Sequence, residues 1–200
     1  MDREEFIKRY ADGERDFATA DLGGTDLSNI DLNDVDFGGA DLSGANLSNS
    51  IFGLTTNLSG VDLRYANLSR ADMQDVNLDL VDLRKANLTE AILNRSQLNG
   101  ADLRGAVLTG AQLSEVDLVG AKLEGADLSG AILRGADLSG ADFSQAIMIG
   151  TDLTESDLTN TNFGGADLTD AIVYGSTRPQ EEMIENITFP DGTKVKPDWW

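Results

Sequence analysis

From Phe17 to Val173 every fifth residue is Leu, Phe, Met or Val, and the beat slips by one residue only once. Leu22, Leu27, Leu32, Phe37, Leu42, Leu47 and Phe52 share one register; Leu58 opens a second that runs unbroken to Val173. A short fixed period marks one structural unit copied many times. With the central apolar residue called i, position i−2 is Ala in 18 of 32 units and i−1 is Asp or Asn in 23 of 32. In, out, in across i−2, i−1 and i is the signature of extended chain. A helix would smear a five-residue beat around its circumference, and a flat strand would send successive leucines to opposite faces. The chain must therefore turn once per unit, at i+1 and i+2, so that every central residue points to one axis. Glycines at i+2, such as Gly100, Gly120 and Gly140, suit such corners.

Four turns of about a right angle close a square coil of 20 residues. Residues 15–54 hold eight units and residues 56–175 hold 24, which predicts an all-β coil of about eight turns, on the order of 40 Å long. Thr55, the one insertion, is expected to form a bulge at a corner. Its interior would be Leu ladders lined by Ala, too narrow for a ligand. Units such as Ala101-Asp102-Leu103-Arg104-Gly105 and Ala136-Asp137-Leu138-Ser139-Gly140 resemble the pentapeptide repeat family, whose consensus is close to Ala-(Asp/Asn)-Leu-x-x. The resemblance covers residues 15–175 and implies a right-handed quadrilateral β-helix.

The ends break the pattern. Residues 1–14 read as a short capping helix, with Asp2 and Glu5 forming a capping box, Phe6, Ile7 and Tyr10 an apolar face, and Gly13 the exit. Residues 176–200 carry all three prolines, a turn at Pro190-Asp191-Gly192-Thr193, and the apolar residues Met183, Ile184, Ile187, Phe189, Val195, Trp199 and Trp200. Both segments are expected to plug the open Leu stack, as solenoid ends require.

The net charge of −20 argues against direct binding of nucleic acid or anionic lipid. Neither a signal peptide nor an apolar run of about 20 residues is visible, so the expectation is a cytoplasmic protein without a membrane anchor. There is no Cys and no His, which removes thiolate chemistry, the usual general base and the commonest transition-metal ligand. Serines and threonines at i+1 lack a partner base, and stacked Asp residues on an open wall lack a cleft to shift their pKa values. The Asp-rich stretch Asn33-Asp34-Val35-Asp36 does not fit an EF-hand. The reading is no enzyme, no cofactor and no metal site.

What remains is the outer surface, where residues 20 apart are vertical neighbours. On the wall of Leu22 the i−1 column reads Asp21, Asp41, Asp62, Asp82, Asp102, Lys122, Asp142, Asn162, with Arg64, Arg84 and Arg104 at i+1 beside the middle three acids. These arginines are expected to neutralise the ladder and are candidates for partner contact. On the wall of Leu32, Ile51, Ile92, Ile132 and Ile172 alternate with Asp31, Asp72, Gln112 and Asp152, either a binding stripe or a relic of a duplicated 40-residue unit. Ile147 and Ile149, with Ile132, Ile172 and Tyr174 around the corner, form the most apolar surface; the C-terminal tail is expected to fold over it.

Two functions compete. The first is a non-catalytic, monomeric or weakly dimeric acidic rod that binds a protein partner. The Leu-rich repeat, the Phe-Ile-x-x-Tyr helix and the Pro-Asp-Gly-Thr tail resemble cyanobacterial family members, some implicated in regulation by protein binding. The second is a DNA mimic that binds a type II topoisomerase (gyrase) or another DNA-binding protein, as some family members do. Residues 15–175 carry 25 acids and 9 bases, a net −16, where about 40 Å of B-DNA carries roughly 23 charges. Such members resemble this chain less closely: they favour Phe at i and often Cys at i−2, whereas Leu fills 24 of the 32 centres here.

Overall fold

The computed structural model describes residues 1–180 and 184–193. Met183, Val195, Trp199 and Trp200, assigned above to the tail, lie outside the described residues.

One five-residue unit explains the rest, because all five of its backbone N–H groups find acceptors. In Ala101–Gly105 the Ala101 N–H closes the preceding turn on Leu98 O (3.1 Å). Asp102 donates down to Val81 O (3.0 Å), while Leu103 and Gly105 donate up to Lys122 O (2.7 Å) and Glu124 O (3.0 Å). The fifth donor, Arg104 N–H, is taken by the Asp102 carboxylate (3.3 Å). The i−1 residues thereby pair in parallel columns, Asp62 with Asp82 and Asp82 with Asp102, each partner 20 residues on.

The pairing is thinner than the extended stretch the pattern predicts. Each i−1 residue forms an isolated bridge, and no continuous strand forms among the described residues. Two of every five residues make the turn and the i−2 donor closes the turn before it, so only one residue per side is left to pair on both flanks.

Each turn places i+2 at positive φ, as the second central residue of a type II turn requires. Gly130 sits there at +67°, and so do Thr19, Tyr65 and Leu80 at +59°, +60° and +60°. Thr55 changes this geometry at one corner. There the turn runs from Gly53 to Thr56, closed by Thr56 N–H to Gly53 O (3.0 Å), and Thr55 donates its hydroxyl to Asp34 (2.6 Å). Directly above, the ladder opens: among the described residues no bridge joins Asn57 to Asn77, although both pair with their other neighbours.

The central residues from Phe17 to Leu168 are at most 3% exposed, and Ala or Val at i−2 packs between them. Burying each contributes about 1.5–3 kcal/mol. Polar residues at i−2 donate to backbone carbonyls: Ser50 to Leu27 O (2.9 Å), Thr151 to Leu128 O (3.0 Å) and Thr161 to Leu138 O (2.9 Å). These hydroxyls therefore leave no buried donor unmet.

Helix α1 (Arg3–Ala11) covers the first coil. Asp2 caps it by accepting from Glu5 N–H (2.9 Å). Phe6 is fully buried against Phe17 and Phe37, with ring centroids 4.5 and 6.3 Å away. Ile7, expected on the same apolar face, is exposed instead: it follows Phe6 by about 100° around the helix, which turns it away from the coil. The first coil has no coil beneath it, so its i−1 carbonyls lack their usual donors. The α1 segment supplies three: the Met1 ammonium to Asp21 O, Arg3 to Asp26 O (2.6 Å) and the Tyr10 hydroxyl to Asp31 O (2.5 Å).

At the other end the described tail continues the winding. Ile187-Thr188-Phe189 repeats the in, out, in pattern, with Thr188 bridged to Asp167 and Ile187 and Phe189 buried. The turn that follows is closed by Gly192 N–H on Phe189 O (2.8 Å), one residue earlier than Pro190–Thr193. The described tail stacks on the last coil, and Ile147 and Ile149 are each 42% exposed; the part of the expected covering that falls on residues 194–200 lies outside the described residues.

Candidate interaction surface

Every one of the 23 units with Asp or Asn at i−1 uses that side chain to accept from its own i+1 N–H, at 2.7–3.3 Å. This is an Asx-type turn cap. The five-residue pattern shows i−1 as an outward position; its turn-capping role is signalled by the choice of Asp and Asn over other polar residues. Amides also link vertically: Asn67 donates to Asn46 (3.0 Å) and Asn87 to Asn67 (3.2 Å).

On the wall of Leu22 each arginine grips the acid of its own unit. Arg64, Arg84 and Arg104 donate through Nε to Asp62, Asp82 and Asp102 at 2.8, 2.9 and 2.8 Å. Arg64 and Arg84 also lie 3.8 Å from the acid one coil on. Hydrogen bonding from the arginines holds the three carboxyl groups below their ordinary pKa, and the bond to Asp82 raises that of Arg84. These guanidinium groups are thus engaged in a surface ion-pair lattice. Beside it Lys85 lies over the Tyr65 ring, 5.5 Å from the centroid, an exposed pair the sequence did not flag.

The apolar candidates are brought together on adjoining walls. Ile132 is 39% and Ile172 49% exposed, and Tyr174 78%. A cleft of about 300 Å³ opens beside Tyr174, lined by Leu158, Val173, Ser176 and Pro179 among others. It forms where Arg178 follows Thr177 in the slot that would hold the next central residue above Leu158. The sequence signal was the loss of an apolar residue at 178. Among the described residues no cluster of acids could hold a metal ion, and no helix is long and apolar enough to cross a membrane.

A filled, four-sided stack of turns with parallel bridges 20 residues apart, 21 across the insertion, defines a β-solenoid whose surface is a set of walls. The family model for pentapeptide repeats (8 copies) matches residues 16–52, 56–95, 96–135 and 136–173, and the chain belongs to the pentapeptide repeat family. No curated protein sequence matches it. Among solved structures, it is similar to HetL, a pentapeptide repeat protein involved in heterocyst differentiation regulation from the cyanobacterium Nostoc sp. strain PCC 7120. The identity is 29% over 96% of this chain and 99% of that one, with a TM-score of 0.41. It is also similar to full-length QnrB1, a plasmid-mediated fluoroquinolone resistance protein (23% identity, 80% of this chain and 86% of that one, TM-score 0.44). A third is Rfr23 from the cyanobacterium Cyanothece 51142 (20% identity, 92% and 97%, TM-score 0.36).

Proposed function

We propose that this chain is a non-catalytic protein-interaction module, a monomeric or weakly dimeric acidic rod of about eight right-handed coils that presents its outer walls to a protein partner. The observation that carries this is the exposed apolar group Ile132, Ile147, Ile149, Ile172 and Tyr174 on a chain whose other large apolar residues are mostly spent in the stack. Exposed apolar residues clustered in this way mark contact sites. Affinity capture from the native organism with mass spectrometry tests it, comparing the natural protein with an Ile147→Asp/Ile149→Asp variant of equal Tm. A protein retained by the first and lost by the second is the expected result; no protein retained by either overturns the proposal.

DNA mimicry is the second reading, and the net −16 of residues 15–175 favours it. The turn caps weaken it. An Asp at i−1 is there to accept a backbone N–H, so much of the acid follows from architecture, and three of the carboxylates are neutralised by Arg64, Arg84 and Arg104. A gyrase supercoiling assay showing no effect at micromolar protein disposes of it.

A further inference from the structure

The wall of Leu32 carries a column whose order the bridges fix as Asp31, Ile51, Asp72, Ile92, Gln112, Ile132, Asp152, Ile172. We propose that this column is a docking track for a basic amphipathic α-helix of a partner protein, lying along the rod with its apolar residues seven apart. The inference deepens the interaction-module reading and rests on it.

The first argument is that isoleucine works against the fold at these positions. Every Asp or Asn at i−1 caps its own turn, and isoleucine cannot. Among the described residues no side chain accepts from the N–H of Asn94, Arg134 or Tyr174, the i+1 residues after Ile92, Ile132 and Ile172. After Ile51 the Gly53 N–H turns to the Thr56 hydroxyl instead (3.1 Å). Ile92, Ile132 and Ile172 each give up a turn hydrogen bond, and Ile51, Ile132 and Ile172 leave apolar surface in water. At Ile132 and Ile172 neither loss is repaid inside the rod among the described residues, which separates a used surface from an inherited pattern.

The second argument is spacing. Adjacent coils lie about 4.8 Å apart, so the isoleucines repeat every ~9.6 Å. Seven residues of α-helix rise about 10.5 Å and return nearly to the same face. Over the three intervals the two ladders differ by roughly 3 Å, or about 1.5 Å at either end of a centred helix, which side-chain adjustment absorbs. A β-strand offers same-face residues about 6.7 or 13.5 Å apart and does not match.

The third argument is charge. Asp72 and Asp152 stand between the isoleucines, and Asp34, Asp75, Glu115 and Glu155 line the corner just beyond, against Arg95 and Arg134. Arg134 pairs with Asp152 (2.6 Å) and Arg95 with Asp75 (2.8 Å), leaving the track acidic overall. Its partner therefore needs Lys or Arg flanking the apolar seam.

The test uses a synthetic Lys-rich helix of about four heptads with Leu at every seventh position, and the same composition scrambled. Binding is read by fluorescence anisotropy against the full chain and the Ile92→Asp/Ile132→Asp variant. The heptad peptide is expected to bind the natural protein at least about tenfold more tightly than it binds the variant, and than the scramble binds the natural protein. The variant, having regained two turn caps, should melt no lower than the natural protein. Equal binding by both proteins or both peptides, or no binding at ~100 μM, overturns the track. A captured native partner that is lost with Ile147→Asp/Ile149→Asp but kept by Ile92→Asp/Ile132→Asp would also overturn it, while leaving the interaction-module reading standing.

Discussion

At the residue scale the two outward positions of each unit obey different constraints. Position i−1 is held by hydrogen bonding and i+2 by backbone conformation. Thr19 occupies the left-handed region at φ +59° with a branched Cβ, a conformation that costs an L-residue about 1–2 kcal/mol. Thr19→Gly should therefore stabilise the rod, after the entropy of the freer chain is subtracted, by about 1 kcal/mol, or ~2–4 °C in Tm. Thermal unfolding checks this, and an unchanged or lowered Tm refutes it. The need for a turn was legible from Gly120 and Gly140, but the same conformation at Thr19, Tyr65 and Leu80 was not, because tertiary bonds override local preference there. The i−1 Asp was visible in every unit, yet its acceptor role is an angular relation between side chain and turn that spacing does not report.

At the element scale the coil is uniform except at one corner. The inserted Thr55 moves the turn to Gly53–Thr56 and leaves no bridge between Asn57 and Asn77. Deleting Thr55 together with Leu54→Gly restores the regular spacing and gives the corner a residue suited to positive φ. The expected outcome is a more stable protein, by about 1–3 kcal/mol for the regained backbone bonds, with slower hydrogen exchange at Leu58 and Asn77. Unchanged exchange at those amides would show that the gap lies elsewhere. The slip itself was plain in the sequence as a broken beat. The missing rung was not, because it depends on how the coil above meets the displaced chain. The tail shows the opposite difficulty. Ile187-Thr188-Phe189 is a regular unit displaced by an irregular approach, so the period hides it while the packing reveals it.

At the scale of the whole molecule, stacking turns sequence repeats into columns of charge. Asp62, Asp82 and Asp102 stand one above another and are held below their ordinary pKa by hydrogen bonds from Arg64, Arg84 and Arg104. Depressed carboxyl groups stabilise the folded state above the unfolded pKa near 3.9, and that contribution is lost as pH falls through their folded values. Arg84→Ala should consequently lower Tm at pH 7, more at low salt than high, and the difference should shrink as pH falls below about 4 and vanish once the depressed carboxyl groups are protonated in the folded state. A difference that persists in acid would assign the effect to packing of the Arg84 stem. The columns were readable as soon as the 20-residue period was known. Which wall meets a partner was not, since the repeat specifies the stack and leaves the outward residues free to vary.

The hydrogen bonds of α1 have one more implication. Each rung is nearly a replica of its neighbour, so a bare terminal rung would accept a rung from a second molecule almost as well as one of its own. By occupying the carbonyls of Asp26 and Asp31 through Arg3 and Tyr10 and laying Phe6 on Phe17, the nine helical residues cover the face on which a second rung would stack. At that end the helix thus stands in the way of rung-on-rung association between copies.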